Sequence, residues 1–350
     1  MPESKPLRFG IIGCGTASVP VCEAITTSPL TKLVAVYDVN REMADDIAQR
    51  FQAQTMGTVE ELLSNSSVDA VYIAVPHYLL ASLTRQVLES GKAALTEKPL
   101  GISLAEVDQL IQLSNKEQLA LGVFYEMRYA PAHDLARELI QAGVLGKIIG
   151  VQIQTLIDKS LTYWQMGYAG RSTNPWRGIK AQAGGGVVLM NTSHLLEALF
   201  YITGLRVTRV SAEIGNLVSN VEVEDLASAT LRFNNGALGS LIVGAHISGA
   251  EKDEHCAIYG TQGSMRLPHP YTAGPLQVYL KHAWRDLAAE QWISILTETV
   301  PVYRRAIEEY AKAVLSHSQP PIDAQAARQV LAVVLAIYQS AAEGKTITIS

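Results

Sequence analysis

The chain has 350 residues, 48% of them hydrophobic, and its 28 basic and 33 acidic residues give a net charge of -5. That length predicts about two domains with buried cores, and without long runs of like charge the chain is poorly suited to bind nucleic acid or an anionic membrane. A polar start and the lack of an apolar run of membrane-spanning length predict a cytoplasmic protein with a small-molecule partner. The three cysteines, Cys14, Cys22 and Cys256, lack disulfide or zinc-ligand spacing, so we expect reduced thiols and no metal.

A glycine-rich turn follows the first predicted strand. Residues 7–12 are typical of a buried parallel strand, and residues 13–18 lead from it into a helix. Gly13 permits a tight turn, and Gly15 lets a pyrophosphate approach the unpaired amides at the helix start. Ser18 stands at the third motif position in place of glycine, and a turn that serves helix packing alone is the alternative. The expected cofactor contacts of this turn are Gly13, Gly15, Thr16 and Ala17.

The next strand indicates which dinucleotide binds. Residues 33–38 end in Asp38, at about the 20-residue distance from the turn where a carboxylate accepts hydrogen bonds from the adenine ribose. Asp38 therefore favours NAD. Arg41 lies close enough to accommodate a 2'-phosphate, so NADP stays possible, and a solvated helix start is its alternative role.

Two more buried strands end where a doubly wound sheet binds its ligand. Residues 68–77 end in Val75, Pro76 and His77, which we expect to line the cofactor. A loop or cofactor-edge histidine is favoured over a catalytic base at His77. Residues 93–96 lead into Glu97-Lys98-Pro99. An ammonium there can stabilise the oxygen charge that develops as a carbinol loses hydride, although a Glu-Lys pair capping a loop is the alternative.

The alternation of strands and helices weakens after the strand at residues 120–124, so we place a domain boundary there. A helix to residue 142, opened by residues 126–131, and a strand at 147–157 follow. The loop at 158–182 is rich in aromatic and arginine side chains, which suit sugar faces or else anchor a long loop to the core. Its members are Tyr163, Trp164, Tyr168, Arg171, Trp176 and Arg177.

A glycine run then opens a predicted helix that continues to Tyr201 and stops at Gly204. Met190, Asn191 and His194 share a face of this helix by their spacing. A single histidine on an apolar helix is more often a core residue than a catalyst. Strands at 207–214, 225–233, 237–243, 255–259 and 264–267 predict a mostly antiparallel sheet, and helices at 302–316 and 324–343 precede a short strand.

Three separated segments resemble the Gfo/Idh/MocA family of NAD(P)-dependent oxidoreductases. They are the Gly13-x-Gly15 turn, Glu97-Lys98-Pro99, and the glycine run 184–186 followed by His194. The resemblance implies a Rossmann domain with a doubly wound parallel sheet over residues 1–124. An α/β domain with a large, mostly antiparallel open sheet over 125–350 would bind substrate and form homodimers or homotetramers, and its last helix would pack back on the first domain.

The resemblance also implies site roles. His194 would act as general base on a sugar hydroxyl while Lys98 steadies the oxygen, and both would be catalytic. Cofactor contacts would further include Glu97, Lys98 and Arg177, and the expected substrate contacts are Lys98, Arg128, Tyr163, Trp176, Asn191 and His194. One position departs from the family pattern: Met190 stands where an aspartate often precedes the histidine by one helical turn. A thioether cannot raise the basicity of His194.

The sequence therefore favours a dehydrogenase that transfers hydride between a sugar, sugar derivative or cyclitol and NAD. A reductase of a non-sugar carbonyl or a trans-dihydrodiol dehydrogenase is an alternative within enzymes. A dinucleotide-binding sensor without turnover is the alternative outside them, motivated by Met190.

Overall fold

The computed structural model describes residues 5–170, 172, 174–250, 253–269 and 274–349. The chain divides into two compact units, and neither is continuous in sequence. The first unit joins Trp164–Gly184 and Pro301–Arg328 to Met1–Tyr125. The second contains Glu126–Tyr163, Gly185–Val300 and Gln329–Ser350. The last helix thus begins in the first unit and continues into the second, and a single division after residue 124 does not describe the chain.

The first part of the chain alternates strands and helices. Its elements are β1 (Leu7–Ile12), α1 (Ser18–Thr27), β2 (Thr31–Tyr37), α2 (Arg41–Phe51), β3 (Gln54–Thr55), α3 (Val59–Ser64), β4 (Ala70–Ile73), α4 (His77–Glu89), β5 (Ala93–Glu97), α5 (Leu104–Glu117) and β6 (Leu121–Phe124). All six strands are parallel in the order β3-β2-β1-β4-β5-β6. This is the predicted doubly wound sheet, and its order reverses between β1 and β4, where such sheets bind ligands.

The rest of the chain builds a larger sheet. Its elements are α6 (Pro131–Gln141), β7 (Ile148–Leu156), α7 (Tyr163–Met166), α8 (Lys180–Ala183), α9 (Ser193–Thr203), β8 (Val207–Gly215), β9 (Leu226–Phe233), β10 (Leu238–Gly244), β11 (Asp253–Gly260), β12 (Gly263–Leu267), β13 (Leu276–Leu280), β14 (Trp292–Ile295), α10 (Val302–Leu315), α11 (Ala324–Glu343) and β15 (Ile347–Thr348). Nine strands pair in the order β14-β13-β12-β11-β7-β10-β9-β8-β15, and only β7 and β10 run parallel among them. The predicted mostly antiparallel sheet is confirmed. Across the described ranges, every helix is too short or too polar to span a membrane.

Two predicted helices begin differently in the structure. The segment before Pro131 is a 3-10 turn, Glu126–Tyr129, because a residue before proline is disfavoured in helical conformation and Ala130 is extended. The helix predicted from the glycine run is also interrupted. A π-helical turn, Val188–Thr192, precedes α9, so the wider turn replaces the regular spacing expected for Met190, Asn191 and His194.

One face of the large sheet is open and mostly uncharged at its centre. On β10, Leu241 and Val243 are buried while Leu238 and Ile242 are exposed, as the alternation of side chains along a strand requires. Ile149 of the neighbouring strand β7 is also exposed. Leu238 and Ile242 expose apolar area on that side of the sheet.

The three cysteines are buried and unpaired with one another, as predicted. Burial raises the pKa of Cys22 and Cys256 to about 12 and also raises the pKa of Cys14. All three thiols are therefore protonated at neutral pH.

Candidate functional site

The turn after β1 is closed by the end of β4. Gly13 has a φ of 95°, and a Cβ added to it would lie 2.2 Å from the carbonyl oxygen of Ala74. The buried Ser18 hydroxyl donates to the carbonyl oxygen of Gly13 at 2.6 Å. Ser18 thus ties the turn to the first residue of α1, in place of the third glycine of the motif.

Space is open where a pyrophosphate would approach. A Cβ on Gly15 would meet nothing within 4 Å, and Thr16 and Ala17 are exposed before α1. Helix amides at such an end carry partial positive charge. The turn therefore fits the phosphates of a dinucleotide.

Asp38 lies directly after β2 and beside this turn. Its two carboxylate oxygens accept hydrogen bonds from the amides of Cys14 and Asn40, each at 2.7 Å. A carboxylate has about four acceptor positions, so Asp38 can still accept from ribose hydroxyls. Arg41 forms an exposed ion pair with Asp45, with Nε and Oδ1 3.1 Å apart.

Lys98 lies on a turn in which both carboxylate oxygens of the preceding residue, Glu97, accept hydrogen bonds. The hydroxyl of buried Tyr72 donates to one oxygen of Glu97 at 2.6 Å, and the amide of Lys98 donates to the other at 3.2 Å. Burial raises the pKa of Glu97, while Lys98 and Tyr72 act in the opposite direction. The backbone of Lys98 is thereby fixed at the carboxyl end of β5, and its side chain is half-buried.

His77 is a neutral, buried histidine. Its Nδ1 lies 2.7 Å from the carbonyl oxygen of Ala183, and a carbonyl can only accept, so Nδ1 carries the proton. Burial, assisted by the charges of Lys98 and Arg177, lowers the pKa of His77 to about 3. Such a weak base speaks against the catalytic interpretation, and His77 is the first residue of α4, not part of a loop. Val75 and Pro76 are half-buried before it.

The predicted residues Trp176 and Arg177 also belong to the first unit. The Arg177 guanidinium lies 4.5 Å from the centre of the Trp176 ring, and that ring lies 4.6 Å from His77. Trp176 is buried, so it anchors this segment to the start of α4. Arg171 lies outside the described residues.

His194, near the start of α9, has a carboxylate beside it that the sequence did not indicate. Its Nδ1 lies 3.6 Å from an oxygen of Glu126, and the two side chains are only 12% and 6% exposed. Glu126 belongs to the 3-10 turn that packs against α9. Within the second unit, an acid thus accompanies the histidine although Met190 is apolar.

Asn191 and Met190 contact a different segment. The buried ammonium of Lys159 donates to the side-chain oxygen of Asn191 at 2.6 Å, which points the amide nitrogen of Asn191 away from it. Lys159 also lies 3.9 Å from the centre of the Tyr163 ring, and the Tyr163 hydroxyl donates to the sulfur of Met190 at 3.4 Å. Tyr163 and Asn191 are therefore brought together by Lys159.

Arg128 is engaged within the second unit. Its Nε and Nη2 both donate to one carboxylate oxygen, Oε1, of Glu197 on α9, and its guanidinium lies 4.7 Å from the ring centre of Tyr201. Burial raises the pKa of Glu197, and the Arg128 charge opposes that shift. These contacts give Arg128 a role in packing the 3-10 turn on α9, and its predicted substrate contact stays a prediction.

Sequence reasoning missed Glu126 and Lys159. A lone acid within the apolar run from Phe124 to Met127 was a signal, because charged residues are seldom buried without a function or partner. Lys159 gave no comparable signal, because its neighbours in the sequence, Asp158 and Ser160, are polar residues typical of an exposed segment. Among the described residues, no group of histidine, cysteine or acidic side chains could hold a metal ion.

The parallel sheet with its glycine turn at the switch point defines a dinucleotide-binding Rossmann domain. Residues 7–125 match the model of the oxidoreductase family with an NAD-binding Rossmann fold, and residues 133–266 match the model of the GFO/IDH/MocA C-terminal domain. The chain belongs to the Gfo/Idh/MocA family of oxidoreductases.

Individual relatives are distant but extend along the chain. It is 24% identical to the 1,5-anhydro-D-fructose reductase of Ensifer adhaerens over 342 residues, 97% of each protein. It is 27% identical to the trans-1,2-dihydrobenzene-1,2-diol dehydrogenase of Mus musculus over 239 residues, 67% of each. The solved structure of levoglucosan dehydrogenase with NADH and levoglucosan shares the fold, with a TM-score of 0.88, 22% identity and coverage of 99% of this chain and 100% of that one.

Proposed function

We propose that this oxidoreductase transfers hydride between the CH–OH group of a sugar, sugar derivative or cyclitol and a nicotinamide cofactor. The observation that carries the proposal is Lys98 at the carboxyl end of β5 in the NAD-binding sheet, on a turn held by Glu97 and Tyr72. The relatives named for anhydrofructose and levoglucosan support a sugar-like substrate.

We propose that Lys98 and His194 are the catalytic residues. His194 accepts the hydroxyl proton as general base, and the Lys98 ammonium stabilises the charge on the oxygen as it becomes a carbonyl. When bound, the nicotinamide accepts the hydride. Asn191, Tyr163, Arg128 and Trp176 stay predicted substrate contacts, and the first two are supported by their shared contact with Lys159.

NAD is the preferred cofactor in this proposal. Asp38 presents a carboxylate beside the turn, and a 2'-phosphate there would meet like charge. Arg41, which could offset it, is already paired with Asp45. The remaining predicted contacts are Gly13, Gly15, Thr16, Ala17, Val75, Pro76, His77, Glu97, Lys98 and Arg177.

A dihydrodiol dehydrogenase is the second candidate. The mouse relative supports it, and so does the burial of Tyr163 and Trp176, because a sugar-binding platform needs an accessible ring face. A sensor without turnover has less support, since Glu126 supplies an acid near His194 that Met190 does not.

Reduction of NAD and NADP against a panel of free sugars, anhydrosugars, inositols and trans-dihydrodiols tests the proposal. We expect turnover with a sugar or cyclitol and a higher kcat/KM with NAD. Lys98→Met and His194→Ala should each lower kcat by at least roughly 100-fold, the usual range for loss of a general acid or base. Binding of NAD without turnover of any compound, in either direction, would support the sensor instead.

We further propose a cytoplasmic homo-oligomer. The exposed apolar side chains Leu238 and Ile242 lie on one face of β10 in the large sheet, which suits contact with another copy. In this proposal the oligomer is a dimer or a tetramer.

A further inference from the structure

The buried pair formed by His194 and Glu126 joins two elements that are far apart in sequence. Glu126 Oε2 lies 3.6 Å from His194 Nδ1, longer than a hydrogen bond but within ion-pair distance if the ring is protonated. Both side chains are largely removed from water. A carboxylate in such surroundings interacts strongly with a neighbouring charge, because little solvent screens it.

We propose that Glu126 is the positioning carboxylate of His194 and does for this chain what an aspartate at position 190 would do. The proposal deepens the proposed function and rests on it. In this proposal Glu126 faces Nδ1, and Nε2 is the nitrogen that accepts the proton from the substrate hydroxyl. Met190 cannot serve, because its thioether carries no charge and its sulfur accepts from Tyr163.

The proton and electron balance of the step is simple. The substrate O–H bond breaks and its proton moves to Nε2, the C–H bond breaks and its hydride moves to the oxidised nicotinamide, and a C=O bond forms. Glu126 stays ionised throughout, and its negative charge stabilises the imidazolium that results. In the reverse direction the same imidazolium returns the proton.

Other ionisable groups on the elements around α9 could affect the same titration, and most are already engaged. Arg128 and Glu197 neutralise each other, and Asp134 accepts a hydrogen bond from Tyr201. Burial lowers the pKa of His133 to about 4, which keeps it neutral. Lys159, which donates to Asn191, and Glu254 and His255 of β11 also lie on segments that adjoin α9.

The decisive measurement is the pKa of His194 from histidine C2 hydrogen–deuterium exchange followed by mass spectrometry on the full-length protein. A carboxylate near the ring raises the pKa of its imidazole, so Glu126→Gln should lower the pKa of His194 by roughly 1–2 pH units. Glu126→Asp keeps the charge farther from the ring and should give a smaller decrease. That variant also tests the proposal if Glu126→Gln does not fold.

Asp134→Asn is the matched control. It removes one carboxylate from the same packing of α6 on α9, but its partner Tyr201 lies seven residues beyond His194, roughly 10 Å along the helix. We expect this variant to leave the pKa of His194 unchanged. An equal pKa in wild type, Glu126→Gln and Glu126→Asp would show that Glu126 does not act on His194.

Steady-state kinetics separates this inference from the proposed function. If the wild type is active, Glu126→Gln should lower kcat more than it raises KM and should move the acidic limb of the pH profile to lower pH. If the wild type turns over no substrate while its His194 pKa still falls in Glu126→Gln, the proposed function fails and the pairing stands.

Discussion

Gly13 and Gly15 lie in one turn but constrain it for different reasons. We expect Gly13→Ala to lower the free energy of unfolding by roughly 2 kcal/mol or more, because its φ of 95° is strained for alanine and the new Cβ would clash with Ala74. The new Cβ in Gly15→Ala would meet open space, so this variant should be as stable as the wild type but should bind NAD more weakly. Urea unfolding and calorimetric titration with NAD measure the two effects. Wild-type NAD affinity in Gly15→Ala would contradict a pyrophosphate at that position.

His77 makes stability depend on pH. The folded pKa is lowered to about 3, below the ordinary 6.5, so the neutral form stabilises the protein above pH 6.5 and that stability is lost as pH falls toward 3. The loss approaches about 1.4 kcal/mol per pH unit in that window. His77→Asn should therefore show a shallower fall of the melting temperature between pH 6.5 and 4 than wild type.

The exposed His282 provides the comparison for this measurement. We expect His282→Asn to follow the wild-type curve. Equal slopes for His77→Asn and wild type would mean that His77 takes up a proton as readily in the folded protein as in the unfolded chain.

The segment that leads into α9 depends on one buried acid. Glu224 accepts from the amides of Gly186 at 2.7 Å and Val188 at 2.9 Å, and from the hydroxyl of Tyr338 at 2.9 Å. A Cβ on Gly186 would lie 2.0 Å from the carbonyl oxygen of Glu224, so only glycine permits this close approach of the two segments. Burial raises the pKa of Glu224.

Glu224→Gln should therefore destabilise the second unit. The glutamine brings an NH2 group against a backbone N–H, and the lost charged acceptor costs roughly 2–3 kcal/mol of unfolding free energy. Tyr338→Phe removes a single hydroxyl and should cost about 1 kcal/mol. Urea unfolding of the two variants measures which loss is larger. A wild-type free energy of unfolding in Glu224→Gln would contradict the role of Glu224 in anchoring this segment.

Most elements with a strong local pattern could be predicted from the sequence, although β13, a short strand with alternating buried side chains, was missed. The strands β1, β2, β4, β5 and β6 of the parallel sheet were evident because each is a mostly apolar run before a turn. β3 has only two residues, and β14 alternates without burying one face, so neither produced a signal. The interruption before α9 was missed because a π-helical turn depends on packing around Glu224, which lies in a distant segment.

The residues of the candidate site could likewise be predicted where they belong to a local sequence motif. The glycine turn, Asp38 and Lys98 follow strands and are visible as motifs. Glu126 was assigned to a helix start, since nothing in its neighbourhood of the sequence names His194 as its partner. Contacts between separate segments are set by the tertiary fold, and they cannot be inferred from a single amino-acid sequence.

The exposed apolar face of the large sheet predicts that copies of the protein associate through it. Leu238→Glu combined with Ile242→Glu should dissociate the proposed oligomer, because two buried carboxylates at an apolar interface would lack partners. Light scattering after size-exclusion chromatography gives the mass of each species. Leu315→Glu, an exposed change on α10 of the first unit, is the control and should keep the wild-type mass.

The buried thiols have a practical consequence for measuring motion. Because Cys14, Cys22 and Cys256 are buried and protonated at neutral pH, maleimide dyes should spare them in the folded protein. One cysteine introduced on the surface of each unit could then carry a donor and an acceptor fluorophore without removal of any native residue. Single-molecule energy transfer would follow the distance between the units as NAD and substrate are added.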